Sequence, residues 1–160
     1  MSARDLAILA ERLVEDFPEY YPFFAMREFT YNHITQQNRN RLLGVIGVDG
    51  LKTGHTEDGG YGITLSAKQG ERRLILVING MKSEKERMEE GDKLLRWGFR
   101  EFDNRTLVRK GQQVAQAEVW FGGQATVPLV ADQDLTVTLP AAAQKDVTFT
   151  LKYNGPVPAP

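Results

Sequence analysis

The chain has 160 residues, and 20 Lys and Arg against 21 Asp and Glu give it a formal net charge of −1. This balance does not support nucleic-acid binding, since proteins of that class usually carry a strong basic excess. The absence of Cys excludes a thiol nucleophile, a disulfide framework and a Cys-ligated zinc site. No apolar run in the sequence approaches the ~20 residues that a membrane-spanning helix needs.

Hydrophobic periodicity and turn residues predict a mixed chain of helices and strands. Ser2 is the expected N-cap of the first helix, with Asp5 three residues later as a weak capping box and Pro18 as its stop. Ser83 and Glu86 form a full capping box at the start of a second helix. In chain order the predicted elements are a helix over 2–17, a short helix or turn over 18–25, a strand over 28–34, a polar turn over 36–41, a loop-rich stretch over 44–60, strands over 61–67 and 72–79, a helix over 83–102, and short strands over 113–121, 126–130, 135–139 and 147–153.

The composition changes after Asn104, where Thr, Val, Leu, Gln and Gly dominate. We therefore expect two parts, a mixed α+β domain over 1–103 and a β-rich, incomplete domain over 104–160, with the boundary near residues 103–109. Residues 155–160 are too rich in Pro for a helix or a central strand, so we expect a linker or a truncation point there.

Charged residues elsewhere in the chain are expected to have ordinary structural roles. Arg72 and Arg73 are predicted to be an exposed pair at the hairpin between two strands. The charged segment over 84–92 is predicted to be a solvated helix face, on which Lys85 and Glu89 form an i,i+4 ion pair.

The densest polar segment of the sequence covers residues 49–60. A calcium loop is excluded because its third and twelfth positions are Leu51 and Gly60 rather than oxygen ligands. A phosphate-binding loop is excluded because Leu51, and not Gly, precedes Lys52. A metal site remains an alternative, although this spacing does not specify one. Its candidate ligands are Asp49, His55, Glu57 and Asp58.

A further interpretation of this segment is that Lys52-Thr53-Gly54 is the Lys-Thr-Gly element of penicillin-recognising serine enzymes. On a strand edge, the ammonium and the hydroxyl can hold a substrate carboxylate through charge-assisted bonds of about 1.5–3 kcal/mol each. Gly54 lacks the Cβ that would block docking along the edge, and the next backbone N–H can point into an oxyanion hole. Because such a tripeptide also occurs by chance, an ordinary turn stays open on these residues alone.

The residues around the tripeptide resemble a known family. The run Val48–Thr56, followed by Gly60 and Tyr61, is similar to the low-molecular-mass penicillin-binding proteins, the serine D-alanyl-D-alanine carboxypeptidases. The resemblance covers nearly the whole chain in the family's order. Its other segments are residues 2–7, 28–32, 37–40, 42–43, 93–99 and 119–122.

This resemblance implies a fold and a site. The fold would be the C-terminal part of a β-lactamase-like transpeptidase domain, an antiparallel sheet with packed helices, followed by a small all-β domain. Lys52, Thr53 and Gly54 would bind the terminal carboxylate of a D-Ala-D-Ala stem peptide or of a β-lactam. The backbone N–H of His55 would be one donor of the oxyanion hole. We expect neither a cofactor nor a metal at such a site.

The resemblance also implies what the parent protein does. It would trim the terminal D-Ala from peptidoglycan stem peptides through an acyl-enzyme intermediate. It would lie in the periplasm or at the cell surface and reach the membrane only through a segment that this chain lacks. We expect no nucleic-acid partner.

One departure from the family concerns the nucleophile. The family uses the Ser of a Ser-x-x-Lys element, with a Ser-x-Asn element before Lys-Thr-Gly, and neither pattern occurs at Ser2, Ser66 or Ser83, the three serines of this chain. We therefore expect a C-terminal fragment that is inactive alone and self-associates through exposed sheet edges and apolar faces. The alternatives are a naturally short, non-catalytic peptidoglycan-binding or scaffolding protein and an unrelated α+β binding protein.

Overall fold

The computed structural model describes residues 2–143 and 147–158. The chain divides into two compact units, the first ending at Arg100 and the second beginning at Glu101. No helix within the described residues combines the length and apolar character needed to cross a membrane.

The first unit contains the long helices and the largest sheet. Its elements are helix α1 (Ala3–Asp16), a 3-10 helix (Tyr21–Ala25), strands β1 (Glu28–Tyr31) and β2 (Ile34–Gln37), a second 3-10 helix (Val45–Gly47), strands β3 (Val48–Thr56), β4 (Gly60–Gln69) and β5 (Arg72–Met81), and helix α2 (Glu84–Glu101), whose last residue belongs to the second unit.

The central sheet of this unit is antiparallel, in the order β3-β4-β5. On β5, Leu74 and Leu76 pack in one apolar cluster and Ile75 in another, as expected when neighbouring side chains of a strand point to opposite faces. The first cluster includes Leu95 of α2 and the second includes Ala10 of α1. The two helices therefore cover opposite faces of the sheet, and the α+β prediction is confirmed.

Both helices begin as the capping signals predict. Ser2 Oγ accepts from the Asp5 N–H at 3.2 Å, and Asp5 Oδ2 accepts from the Ser2 N–H at 2.7 Å. At α2, Ser83 Oγ accepts from the Glu86 N–H at 3.1 Å, while the Glu86 carboxylate accepts from the N–H of Lys82 rather than of Ser83. These contacts satisfy N–H groups that have no partner inside a helix.

Two predictions for the first unit are wrong in detail. The strand predicted over 28–34 ends at Tyr31, because Asn32 and His33 adopt φ of 46° and 62° and form a two-residue hairpin turn into β2. The stretch over 44–60, expected to be rich in loops, contains the nine-residue strand β3. Pairing with β4 gives this segment a strand conformation that its polar and Gly-rich composition does not favour.

The second unit is β-rich. Its strands are β6 (Phe102–Val108), β7 (Gln113–Trp120), β8 (Thr126–Val130), β9 (Leu135–Pro140) and β10 (Val157–Pro158), with a 3-10 helix at Ala141–Ala143. β6 pairs with β9, and β7 pairs with both β8 and β10. The strands predicted over 113–121, 126–130 and 135–139 are confirmed.

The domain boundary predicted near 103–109 stays a prediction; most of this segment lies in β6, and the two compact units divide between Arg100 and Glu101. One expectation for the second unit fails. The strand predicted over 147–153 is absent from the described structure, where these residues have no helix or strand assignment. Alternating residues make a segment compatible with a strand, but a strand also needs a neighbour for its backbone groups, and no described strand pairs with this segment.

Candidate functional site

The Lys-Thr-Gly tripeptide lies on β3, at the edge of the central sheet as far as the described residues extend. Lys52, Thr53 and Gly54 face Thr64, Ile63 and Gly62 of β4 in the antiparallel register. The chance-turn interpretation is therefore wrong, because the tripeptide is in the middle of a regular strand. An edge strand has one side of its backbone available for further pairing.

The two polar side chains of the tripeptide differ in exposure. Lys52 is exposed, and its Nζ donates to the Thr53 carbonyl at 2.5 Å. Thr53 retains only 7% of its surface and lies opposite Ile63, a residue of the first apolar cluster. Both residues nevertheless border one surface cavity of about 530 Å³, together with Gly54 and His55. The structure thus brings all four predicted site residues to the same cavity.

Gly54 leaves the side of β3 open. A Cβ built at this position would meet no described atom within 4 Å. At Gly62, its partner on β4, a Cβ would collide with the Asn79 side chain of β5. The open space at Gly54 is what an extended ligand needs if it is to lie along the strand.

An aromatic and cationic stack follows the tripeptide. The His55 ring lies 4.0 Å from the Tyr61 ring, centroid to centroid, at an interplanar angle of 33°. The Arg87 guanidinium lies 5.6 Å from the centroid of the same Tyr61 ring. Arg87 also donates to the Gly54 carbonyl at 3.3 Å and to Glu84 Oε1 at 3.2 Å. One side chain of α2 therefore contacts both strands next to the candidate site.

The charge pattern over 84–92 predicts a solvated helix face, but Arg87 within this segment is buried. It is only 3% exposed. The ion pair predicted between Lys85 and Glu89 on the same helix is present at 3.7 Å. The buried residues of α2 recur every four positions, at Arg87, Gly91 and Leu95. This i,i+4 spacing indicates that Arg87 shares the buried face of the helix.

A polar cluster lies at the start of β3. Asp49 Oδ1 and Oδ2 accept from Arg73 of β5 at 2.7 and 2.8 Å, and Tyr21 Oη donates to Asp49 Oδ1 at 2.7 Å. Arg73 also donates to the fully buried Ser66 Oγ at 2.5 Å. Arg73 is thus not the exposed hairpin residue predicted from the sequence, because Asp49, distant in the chain, draws it into this cluster.

The cluster shifts the protonation of two of its members. Burial raises the pKa of Tyr21 to about 12 from its ordinary value of 10.0. The hydrogen bond to Asp49 raises the pKa of Arg73 above its ordinary value, so Arg73 stays a cation.

Arg72, the neighbour of Arg73, also makes hydrogen bonds. It donates to the carbonyls of Gly98 and Phe99 at 2.7 and 3.1 Å in the last turn of α2.

A third contact fixes the chain before the tripeptide. Asn40 is 2% exposed, and its Nδ2 donates to the Gly50 carbonyl at 3.1 Å. Its Oδ1 accepts from the Leu42 N–H at 3.1 Å, which holds the amide in place. The approach to β3 is therefore tied to the strand itself.

The metal alternative has no support in the part of the chain that the structure describes. Within residues 2–143 and 147–158, no group of three or more His, Asp or Glu residues could hold a metal ion. Asp49, one of the four candidate ligands, is instead bound to Arg73.

Lys-Thr-Gly is a sequence element of penicillin-recognising serine enzymes, and in this chain it lies on the edge strand of an antiparallel sheet between two helices. The chain belongs to the D-alanyl-D-alanine carboxypeptidase family, whose sequence model matches residues 1–83. The model of the C-terminal domain of penicillin-binding protein 5 matches residues 102–160. These matches confirm the resemblance and its order along the chain.

Relatives with known sequences and structures agree with this assignment. The chain is 41% identical to the D-alanyl-D-alanine carboxypeptidase DacA of Escherichia coli over 155 residues, which are 96% of this chain and 38% of the relative. The crystal structure of penicillin binding protein 5 from Haemophilus influenzae matches with a TM-score of 0.80 and 40% identity, covering 89% of this chain and 42% of that one. The chain thus spans about two-fifths of the length of these relatives.

A more distant match includes a ligand. The structure of penicillin-binding protein D2 from Listeria monocytogenes in its ampicillin-bound form matches with a TM-score of 0.56 and 32% identity. It covers 59% of this chain and 40% of that one.

Proposed function

We propose that the β3 edge of this chain is the carboxylate-binding wall of a serine D-Ala-D-Ala carboxypeptidase. The observation that carries the proposal is the exposed ammonium of Lys52 beside the open space at Gly54, on an edge strand and bordering a cavity. An extended peptide ending in D-Ala-D-Ala would lie along β3, with its carboxylate at Lys52 and Thr53. The family assignment supports this choice of ligand.

In the longer protein, the reaction would pass through an acyl-enzyme on a serine outside this chain. The His55 N–H would donate to the oxyanion that forms when this serine attacks the peptide carbonyl. A β-lactam would occupy the same edge through its own carboxylate. We place the parent protein in the periplasm or at the cell surface, where peptidoglycan stem peptides occur.

Titration with a short peptide tests the binding proposal on this chain. N-acetyl-D-Ala-D-Ala should shift the backbone amide NMR signals of residues 52–55 in a saturable way. The matched control is the same peptide with its C-terminus amidated, which cannot form the charge-assisted bonds and should bind at least about tenfold more weakly. Equal shifts with both peptides, or none with either, would refute carboxylate binding at β3.

A second test concerns catalysis. The isolated chain, incubated with a fluorescent penicillin and analysed on a denaturing gel, should remain unlabelled, because none of its serines belongs to a Ser-x-x-Lys element. A covalently labelled band at the mass of the chain would show that a serine present here is the nucleophile.

The missing Ser-x-x-Lys element also favours a second candidate, a short peptidoglycan-binding protein without catalysis. This candidate predicts the same peptide titration but no upstream coding sequence for the element. An in-frame Ser-x-x-Lys before residue 2 in the gene would exclude it.

A further inference from the structure

Arg87 is a buried cation with partners on both strands beside the candidate site. It keeps 3% of its surface exposed and reaches from α2 to the Gly54 carbonyl of β3 and to the face of Tyr61 on β4. Its only ion pair within the described residues is with Glu84, one turn earlier on its own helix. Burying a cation is costly unless its donors are engaged.

The contact with Gly54 has a geometric consequence for the next residue. The Gly54 carbonyl and the His55 N–H belong to one planar peptide unit, in which they point in opposite directions. A donor that fixes the direction of the carbonyl therefore fixes the direction of the N–H. Gly54 has no side chain to hold this peptide by packing, and a Cβ there would find only open space.

We propose that Arg87 is a positioning residue that directs the His55 N–H through the Gly54 carbonyl. This inference rests on the proposed function, in which that N–H stabilises the oxyanion. Hydrogen-bond donors that already point at the oxygen on which negative charge develops contribute most to the stabilisation of an oxyanion transition state. The Tyr61 ring takes part, because the Arg87 guanidinium and the His55 ring both lie against it.

The contacts of Arg87 require the planar guanidinium group, whose two terminal nitrogens can donate to different acceptors. Arg87 Nη1 donates to Gly54 and Nη2 donates to Glu84, so two separate nitrogens hold one side chain between a strand and a helix. Its Nε finds no hydrogen-bond partner within the described residues, which leaves these two contacts and the ring to fix the guanidinium. A Lys at this position keeps the charge but cannot occupy both acceptors in the same geometry.

The test compares Arg87→Gln and Arg87→Lys with a control on the same helix. Arg96→Gln is the control, because Arg96 is exposed and pairs with Asp92 within α2. The backbone ¹⁵N order parameter of the isotope-labelled chain is measured at His55 and at the buried positions Leu65 and Ala67. Loss of the contact should lower the order parameter at His55 from about 0.85, the value of rigid backbone, towards about 0.6, while Leu65 and Ala67 keep theirs and Arg96→Gln changes none of them.

The local readout separates positioning from a general structural role. If the order parameter falls equally at His55, Leu65 and Ala67 in both Arg87 variants, Arg87 only stabilises the unit and the proposal is wrong. An unchanged order parameter at His55 in Arg87→Gln also overturns it. Arg87→Lys should give an intermediate value at His55, and its retained charge keeps the comparison valid if Arg87→Gln does not fold.

A peptide titration of the unmodified chain distinguishes failure of this inference from failure of the proposed function. If N-acetyl-D-Ala-D-Ala does not shift the signals of residues 52–55, carboxylate binding at β3 is refuted. The orientation of the His55 N–H by Arg87 then has no role in catalysis. If the peptide binds but the His55 order parameter does not respond to Arg87→Gln, binding stands and the role of Arg87 is refuted.

Discussion

Replacing Asp49 by Asn removes one charge from the polar cluster at the start of β3 while preserving the shape of the side chain. Asp49 receives two hydrogen bonds from Arg73 and one from Tyr21. The Arg73 and Asp49 side chains are 22% and 31% exposed. Loss of one partner costs about 3–5 kcal/mol in a fully buried pair and at most about 1 kcal/mol at the surface.

The partial exposure places the expected loss between these limits, at about 2–3 kcal/mol. For a folding unit of this size, such a loss lowers the melting temperature by roughly 8–15 °C. The side-chain oxygen of the Asn still accepts one hydrogen bond from Arg73. The larger loss of stability that an unpaired buried cation would cause is therefore avoided. Urea unfolding, followed through the amide signals of the buried residues Leu65 and Ala67, measures the loss in the first unit.

Glu89→Gln is the matched control. It also replaces a carboxylate by its amide, but the Lys85–Glu89 pair spans 3.7 Å and its side chains are 83% and 63% exposed. We expect this variant to change the free energy of unfolding by less than about 0.5 kcal/mol. If Asp49→Asn and Glu89→Gln shift the urea midpoint equally, the cluster does not stabilise the first unit and the reasoning from its burial is wrong.

Three further predictions address protonation, backbone space and association. Burial raises the pKa of Tyr21 from 10.0 to about 12, so the unfolded state loses this proton first and the free energy of unfolding falls between these two pH values. Tyr21→Phe should make this pH dependence less steep, and an unchanged slope would contradict the assignment. Gly54→Ala should leave stability within about 0.5 kcal/mol but weaken peptide binding, whereas Gly47→Ala, at φ +85° against a β4 carbonyl, should cost about 1–3 kcal/mol in urea unfolding. The β1–β2 hairpin exposes Phe29, Tyr31 and Ile34 at 59%, 76% and 60%, so sedimentation at increasing concentration should reveal self-association, and a monomer throughout would count against it.

Residues close together in the chain predict the helices and hairpins that depend on short-range contacts. The capping residues Ser2 and Ser83 mark both long helices, because their hydroxyls accept from N–H groups three residues away. The hairpin between β4 and β5 follows from Gly70, which adopts φ of +57° at the turn. The β1–β2 turn is not predicted because the alternation of residues continues through it and Asn32 is followed by His33 rather than by the Gly that marks most two-residue hairpin turns.

The residues of the candidate site also form two groups, those that the sequence predicts and those that depend on distant contacts. The tripeptide and His55 are predicted from the sequence because their residue types match a chemical task and a family pattern, and the structure brings them to one cavity. Arg73 and Arg87 were missed because their burial depends on Asp49 and Gly54, which lie 24 and 33 residues away in the chain. An arginine beside other charged residues looks solvated until the fold supplies a distant acceptor.

The edge position of β3 explains why such distant contacts matter. A strand that must keep one side available for a ligand is held by ladder hydrogen bonds on its other side only. Asn40 holds the Gly50 carbonyl, Arg73 holds Asp49, and Arg87 holds the Gly54 carbonyl. These contacts bracket Lys52 and Thr53 and come from a loop, a strand and a helix. The rigidity that the proposed carboxylate binding needs is therefore supplied from outside the tripeptide, which we would not expect to bind in the same way in an isolated hairpin.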